Sequence, residues 1–191
     1  MLRSVVAPGL RETAGVRPVA SCGYPRGFHS SMSVQSRRVT IHIRGHPRGG
    51  NDAWMADACG QYCDRLRSHG LELVTAWHKT DAQLTDAVLS HHVPTVCLDE
   101  HGRTFDSPGF SKFLYRKLDD GRSRACFVVG GAEGLPQALR PGSTAKELGS
   151  RKLEYVSLSQ LTFTHQMARL ILTEQVYRAS EIQRGSSYHK E

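Results

Sequence analysis

Between Val39 and Ile43 apolar residues alternate with Thr40 and His42, the period-two pattern of a strand with two unlike faces. Beyond a loop from Gly45 to Gly50 the period changes. Trp54, Met55, Ala58, Cys59, Tyr62 and Leu66 recur at three- and four-residue steps, with Asn51 placed to cap the helix they predict and Gly70 to end it. Leu71 to Trp77 reads as a second strand, Asp81 to Leu89 as a short helix opened by Thr80, and Thr95 to Leu98 as a third strand. Ser107 and Pro108 offer a cap and a first-turn proline for a helix carrying Phe110, Phe113, Leu114 and Leu118. Ala125 to Val129 is wholly apolar, as a strand in the buried middle of a parallel sheet should be, and Tyr155 to Ser157 makes a fifth strand. A last helix, from about His165 to Ile182, presents Met167, Leu170, Ile171, Glu174 and Tyr177 at helical spacing.

Strands alternating with helices predict an α/β fold built on a mostly parallel sheet. Connection rules alone draw an ordinary unknotted, doubly wound arrangement. At 191 residues one domain is the expectation.

Charge divides the chain unevenly. The net charge is +7, but residues 1 to 38 hold six arginines (Arg3, Arg11, Arg17, Arg26, Arg37 and Arg38) against one acid, Glu12, and so carry +5. From Val39 onward 19 basic residues face 17 acidic ones, a balance of +2, so nucleic-acid binding there must come from a local patch. The Arg-rich leader, with scattered Ser and Gly and the stretch Arg26 to Ser31, has the composition of an organellar transit peptide, mitochondrial before plastid. No stretch approaches the apolar length of a membrane span. Cys22 falls in the leader. Cys59 and Cys63 stand four apart with His69 nearby, but no second pair has zinc spacing, so the expectation is reduced, buried cysteines and no metal.

Three segments that follow strands gather candidate chemistry: Leu98 to Gly102, Gly130 to Leu135, and Leu158 to Phe163. Ligands of parallel sheets bind at that edge, where loops wrap a cofactor without disturbing the core. Gly130, Gly131 and Gly134 allow backbone to approach a ligand, although a lone glycine-rich turn is weak evidence and does not match the dinucleotide fingerprint. The other concentration is the tail, where Tyr188, His189 and Lys190 follow the last helix within three residues of the end of the sequence.

Taken together, Val128-Val-Gly-Gly-Ala-Glu-Gly-Leu135, the run Leu158 to Phe163 and the Tyr-His-Lys tail resemble the SPOUT-superfamily methyltransferases that act on N3 of a pseudouridine in large-subunit ribosomal RNA. The resemblance covers most of Val96 to Glu191. It implies a C-terminal trefoil knot, a homodimer, and S-adenosylmethionine held by Leu98, Gly130 and the run Leu158, Ser159, Gln160, Leu161, Thr162 and Phe163. Methyl transfer from a sulfonium needs the acceptor in line and its proton managed. The resemblance gives His189 as the base, Arg184 or Arg178 as the donor to charge on the flanking carbonyls, and Tyr188 as the group meeting the base, each from a partner's tail. Arg178 could instead form a structural ion pair, and Tyr188-His189 could simply cap the helix end. Thr164 and Ala132 stand where the family usually has proline, the 71–98 segment is short, and the 137–152 segment is long and basic. The competing class is a non-catalytic ribosome-assembly factor on the same fold, and a third possibility is an enzyme of this fold acting on tRNA.

Overall fold

In the computed structural model the described residues are 36–47, 53–143, 148 and 152–188; the transit-peptide reading, the Asn51 cap and His189 lie outside them. Five strands form one all-parallel sheet: β1 (Arg37–Arg44), β2 (Leu71–His78), β3 (Thr95–Arg103), β4 (Arg124–Val129) and β5 (Leu153–Val156), in the order β2-β1-β4-β3-β5. Among the described residues the α-helices are α1 (Ala53–Ser68), α2 (Asp81–Leu89), α3 (Ser107–Asp120) and α4 (His165–Gln183), with a 3-10 turn at Gln137–Leu139.

The alternation in β1 explains the layering. Val39, Ile41 and Ile43 are fully buried and join Phe127, Leu114, Leu118, Leu172 and Val176 in the main core, where α1, α3 and α4 pack. On the opposite face β1 presents Thr40 and His42, in register with Cys126 and Val128 of β4. That face carries a smaller core of Leu84, Val88, Cys97, Val128, Leu135 and Leu139 under α2. Cutting Phe127 from both cores' shared strand would leave a cavity costing about 3–5 kcal/mol.

Several boundaries differ from the sequence pattern for identifiable reasons. Thr80 caps α2 as expected, accepting from the Gln83 amide at 3.1 Å. Helix α3, however, is capped by Asp106, whose Oδ1 accepts from Gly109 N at 2.7 Å; Ser107 is already helical. Strand β3 does not stop at Leu98. It resumes at Arg103 after a bulge, both residues pairing with Val156, so residues 99–102 stand off the ladder instead of forming a free loop. Trp54 of α1 is 54% exposed, while Met55, Cys59 and Leu66 make its core contact. In α4 the buried positions are Gln166, Arg169, Leu172, Thr173, Val176, Tyr177, Ala179, Ser180 and Glu181. Of the predicted stripe only Tyr177 is fully inside; Met167, Leu170, Ile171 and Glu174 are half-buried.

Several polar residues of α4 find partners, while Arg169 Nε is buried without a hydrogen bond. Thr173 Oγ1 donates to Arg169 O at 2.8 Å, Ser111 Oγ to Ala179 O at 2.9 Å, and Ser180 Oγ lies 2.9 Å from His69 Nδ1. Glu181 faces His69 Nε2 at 3.5 Å, and bonds from Ser186 and Tyr177 hold its carboxyl below the usual range. Arg169 lies over the Trp77 ring, 5.0 Å from the centroid.

On the α2 face, burial and the nearby rings of His78 and His91 push His42 down from 6.5 to about 4. Between those values the unfolded chain binds a proton that the folded chain refuses. Stability is therefore complete above about 6.5 and is lost as pH falls toward 4. His42→Gln should flatten this limb in urea midpoints measured against pH in EDTA; an unchanged slope would assign the acid sensitivity elsewhere.

Candidate functional site

The C-terminal ends of β3, β4 and β5 open onto a cavity of about 360 Å³. Leu98, Gly130, Leu158, Ser159, Leu161, Thr162 and Phe163 all line it, so one site gathers seven of the eight residues expected to hold a cofactor. Gln160 is the exception and is exposed. Ser157 Oγ donates to Ser159 O at 2.8 Å and Ser159 Oγ accepts from Leu161 N at 3.0 Å, a tight turn that puts residue 160 at its apex, toward solvent.

The glycine-rich wall is a closed backbone device. Gly131 N donates to Gly134 O at 3.0 Å and Gly134 N to Gly131 O at 3.2 Å, with Gly134 at φ +82°. A Cβ on Gly130 would lie 2.3 Å from Gly134 C and O and 2.6 Å from Leu135 N, so strand end and turn touch through backbone alone. Arg140 clamps this turn, Nε to Leu135 O at 2.8 Å and Nη2 to Glu133 O at 3.2 Å, while Tyr155 Oη donates to Arg140 O at 2.9 Å. Arg140 is a positioning residue that no motif pointed to; its only signal was the basic character of the 137–152 segment. The carboxylates Asp99, Glu100 and Glu133 also border the cavity, placed there by the β3 bulge and the glycine turn. His165 and Ala168, in the first turn of α4, complete the lining. Thr164 N-caps α4 through a 3.3 Å bond from Met167 N, so the residue standing in place of proline supplies a cap instead.

Of the expected catalytic residues, the described ones, Arg178, Arg184 and Tyr188, do not line this cavity. Helix α4 ends in a Schellman motif: Gly185, at φ +68°, donates to Ile182 O at 3.0 Å, and Ser186 N donates to Glu181 O at 3.1 Å. The chain then folds back, and Tyr188 Oη donates to Glu174 Oε1 at 3.2 Å while its ring meets Tyr177 edge-on at 5.0 Å. Arg178 pairs with Glu174 at 2.7 Å and lies 4.9 Å over the Tyr188 ring. The ion pair weighed for Arg178 is thus present, and it orients the guanidinium beside the phenol. Burial, then the Glu174 carboxylate, push Tyr188 up to about 12, which makes it a hydrogen-bond donor and not a base. Arg184 is the C-cap of α4, its amide donating to Ser180 O and Glu181 O, and its side chain is exposed. Ten residues of helix, about 15 Å, separate Ala168 at the cavity from Arg178.

A pocket at the carboxyl edge of a parallel α/β sheet is where folds of this class bind their ligands. The family described as predicted SPOUT methyltransferase matches residues 40–189, and the chain belongs to it. "Ribosomal RNA large subunit methyltransferase H" of Protochlamydia amoebophila is 40% identical over 139 residues, 73% of this chain and 91% of that protein. Its namesake in Geobacter sp. (strain M21) is 32% identical over 151 residues, 73% of this chain and 92% of the other. A further namesake, from Porphyromonas gingivalis strain W83, is 44% identical over 97 residues, 51% and 56% of the two chains.

Proposed function

We propose that this protein is an S-adenosylmethionine-dependent methyltransferase of large-subunit ribosomal RNA, acting at N3 of a pseudouridine as a homodimer. The observation that carries the reading is the cavity at the carboxyl edge of the sheet, walled by Gly130 and the Leu158 to Phe163 loop, in a chain aligned along nearly the full length of a named large-subunit rRNA methyltransferase. Its backbone groups and apolar rim suit an adenine and ribose, and Asp99, Glu100 and Glu133 complement a ligand carrying sulfonium and ammonium charges. The C-terminal trefoil knot that goes with the family belongs to the same reading.

A homodimer supplies the reach that this reading needs. Within one chain the Arg178–Tyr188 group stands too far along α4 to touch a ligand beside Ala168. A partner's tail supplies it, with Met167, Leu170 and Ile171 on the half-buried side of α4 available to the contact. In that arrangement Arg178, with Arg184 in second place, stabilises charge on the imide carbonyls, Tyr188 donates to or stacks on the base, and His189 takes the N3 proton. Only a small net charge is needed if the substrate is a shaped ribosomal particle and not free RNA. The Arg-rich leader precedes the matched region, which supports delivery to an organelle, the mitochondrion first.

The test is methyl transfer from labelled S-adenosylmethionine to isolated organellar large subunits, with the product read as a reverse-transcription stop, because N3 methylation blocks base pairing. Incorporation at a single pseudouridine is expected. Cofactor binding with no incorporation into subunits at any assembly stage would instead place the chain with non-catalytic assembly factors.

A further inference from the structure

The sequence spacing that argued against a metal considered only neighbours in the chain. On the α2 face of the sheet, far-apart segments bring together His42 of β1, His91 just after α2, and Cys126 of β4. One ligand atom from each lies within 4.8 Å of the other two. Cys126 Sγ stands 3.7 Å from His91 Nε2, against about 3.6 Å for the sulfur–nitrogen edge of a tetrahedral zinc site built from ordinary bond lengths. The His42 and His91 rings are 5.7 Å apart between centroids. His78 lies stacked alongside, its Nε2 3.0 Å from His42 Nδ1, the place of the outer partner that fixes the tautomer and direction of a ligating imidazole. His42 and Cys126 are buried, whereas His91 and His78 reach the surface and leave a way in.

We propose that His42, His91 and Cys126 form a zinc site, with His78 orienting His42 and water at the fourth corner. Two imidazoles and a thiolate are a borderline-soft set that favours zinc over magnesium or calcium. Binding forms one metal–sulfur and two metal–nitrogen bonds and releases the Cys126 thiol proton to solvent. The site would tie the loop after α2 to β1 and β4, and β4 runs from Cys126 directly into Gly130. It is separate from the cavity: none of its residues lines that space.

The experiment uses the full-length chain, kept reduced, stripped with EDTA and titrated with Co²⁺ as a spectroscopic stand-in, then with Zn²⁺. One equivalent per chain is expected, with a thiolate-to-cobalt charge-transfer band and tetrahedral d–d absorption, both abolished by zinc. Cys126→Ser should remove the band. His91→Gln, at a half-exposed loop position, should weaken binding by more than about 100-fold, beyond the loss caused by removing an outer partner. Cys59→Ser should leave the band intact, which excludes the pair on α1. Circular dichroism and S-adenosylmethionine binding of each variant report folding independently. A band that survives Cys126→Ser, unchanged affinity in folded His91→Gln, or no tetrahedral cobalt spectrum at one equivalent would overturn the assignment.

Discussion

Gly130→Ala is expected to raise the Kd for S-adenosylmethionine at least about 100-fold, close to 3 kcal/mol. The reason is steric and specific to one atom. The added Cβ would sit 2.3 Å from Gly134 C and O and 2.6 Å from Leu135 N, and these are backbone atoms with no side-chain rotamer to yield. The turn cannot swing away cheaply, because Gly131 and Gly134 hold each other through two hydrogen bonds and Arg140 grips Glu133 and Leu135 from outside. The methyl must open that turn, which moves the wall of the cavity. Neighbouring glycines provide the contrast. At Gly131 the Cβ would meet Arg44 Cγ at 2.9 Å and Arg44 Cβ at 3.6 Å, side-chain atoms that yield by a χ1 rotation at the cost of the Arg44–Asp81 pair, so Gly131→Ala should lower affinity less than Gly130→Ala does. Gly134 has open space but φ +82°, so Ala there meets strain of about 1–2 kcal/mol without a clash. Calorimetry on the three variants, with circular dichroism as a folding control, should rank them Gly130, Gly134, Gly131. Normal affinity in Gly130→Ala would remove the cofactor from this cavity.

How much of this was legible beforehand depends on whether the signal is local. The alternation of Val39, Ile41 and Ile43, the Thr80 cap and the apolar run into Val129 are written within a few residues, and they placed β1, α2 and β4 nearly to the residue. The loops after β4 and β5 could be assigned to one site because parallel strands bring their carboxyl ends together. The inward face of α4 could not be read this way. Arg169, Thr173 and Ser180 point inward because Trp77, the helix's own carbonyls and His69 receive them, partners fixed only by the fold. Asp106 displaced Ser107 as the α3 cap by a shift of one residue, which propensity does not resolve, since both side chains cap well. His42, His91 and Cys126 are separated by tens of residues, so their proximity exists only once β1 and β4 pair and α2 lies over them.

The separation of cavity and tail makes the second large effect a test of assembly as well as chemistry. Arg178→Ala is expected to lower kcat by about 100- to 1000-fold, as loss of a charge-stabilising donor does, while leaving cofactor affinity unchanged. Because Arg178 also pairs with Glu174 and lies over Tyr188, a purely structural role must be distinguished. Arg178→Lys keeps the ion pair but loses the planar fork, so it should restore stability without restoring the rate. Mixing then settles which chain provides the group. When Gly130→Ala and Arg178→Ala chains are co-expressed with different tags, a mixed dimer with sites shared between protomers has one site carrying both defects and one carrying neither. Purified by both tags in sequence and assayed at S-adenosylmethionine near the wild-type Kd, where each parent is nearly inactive, such dimers should show about half the wild-type activity per dimer. If each chain instead used its own tail, both sites of the mixed dimer would be defective and no activity would return. The roughly 15 Å of helix between Ala168 and Arg178 favours the first result, because a tail held back along α4 by Glu174 and Tyr177 cannot close that distance within its own chain.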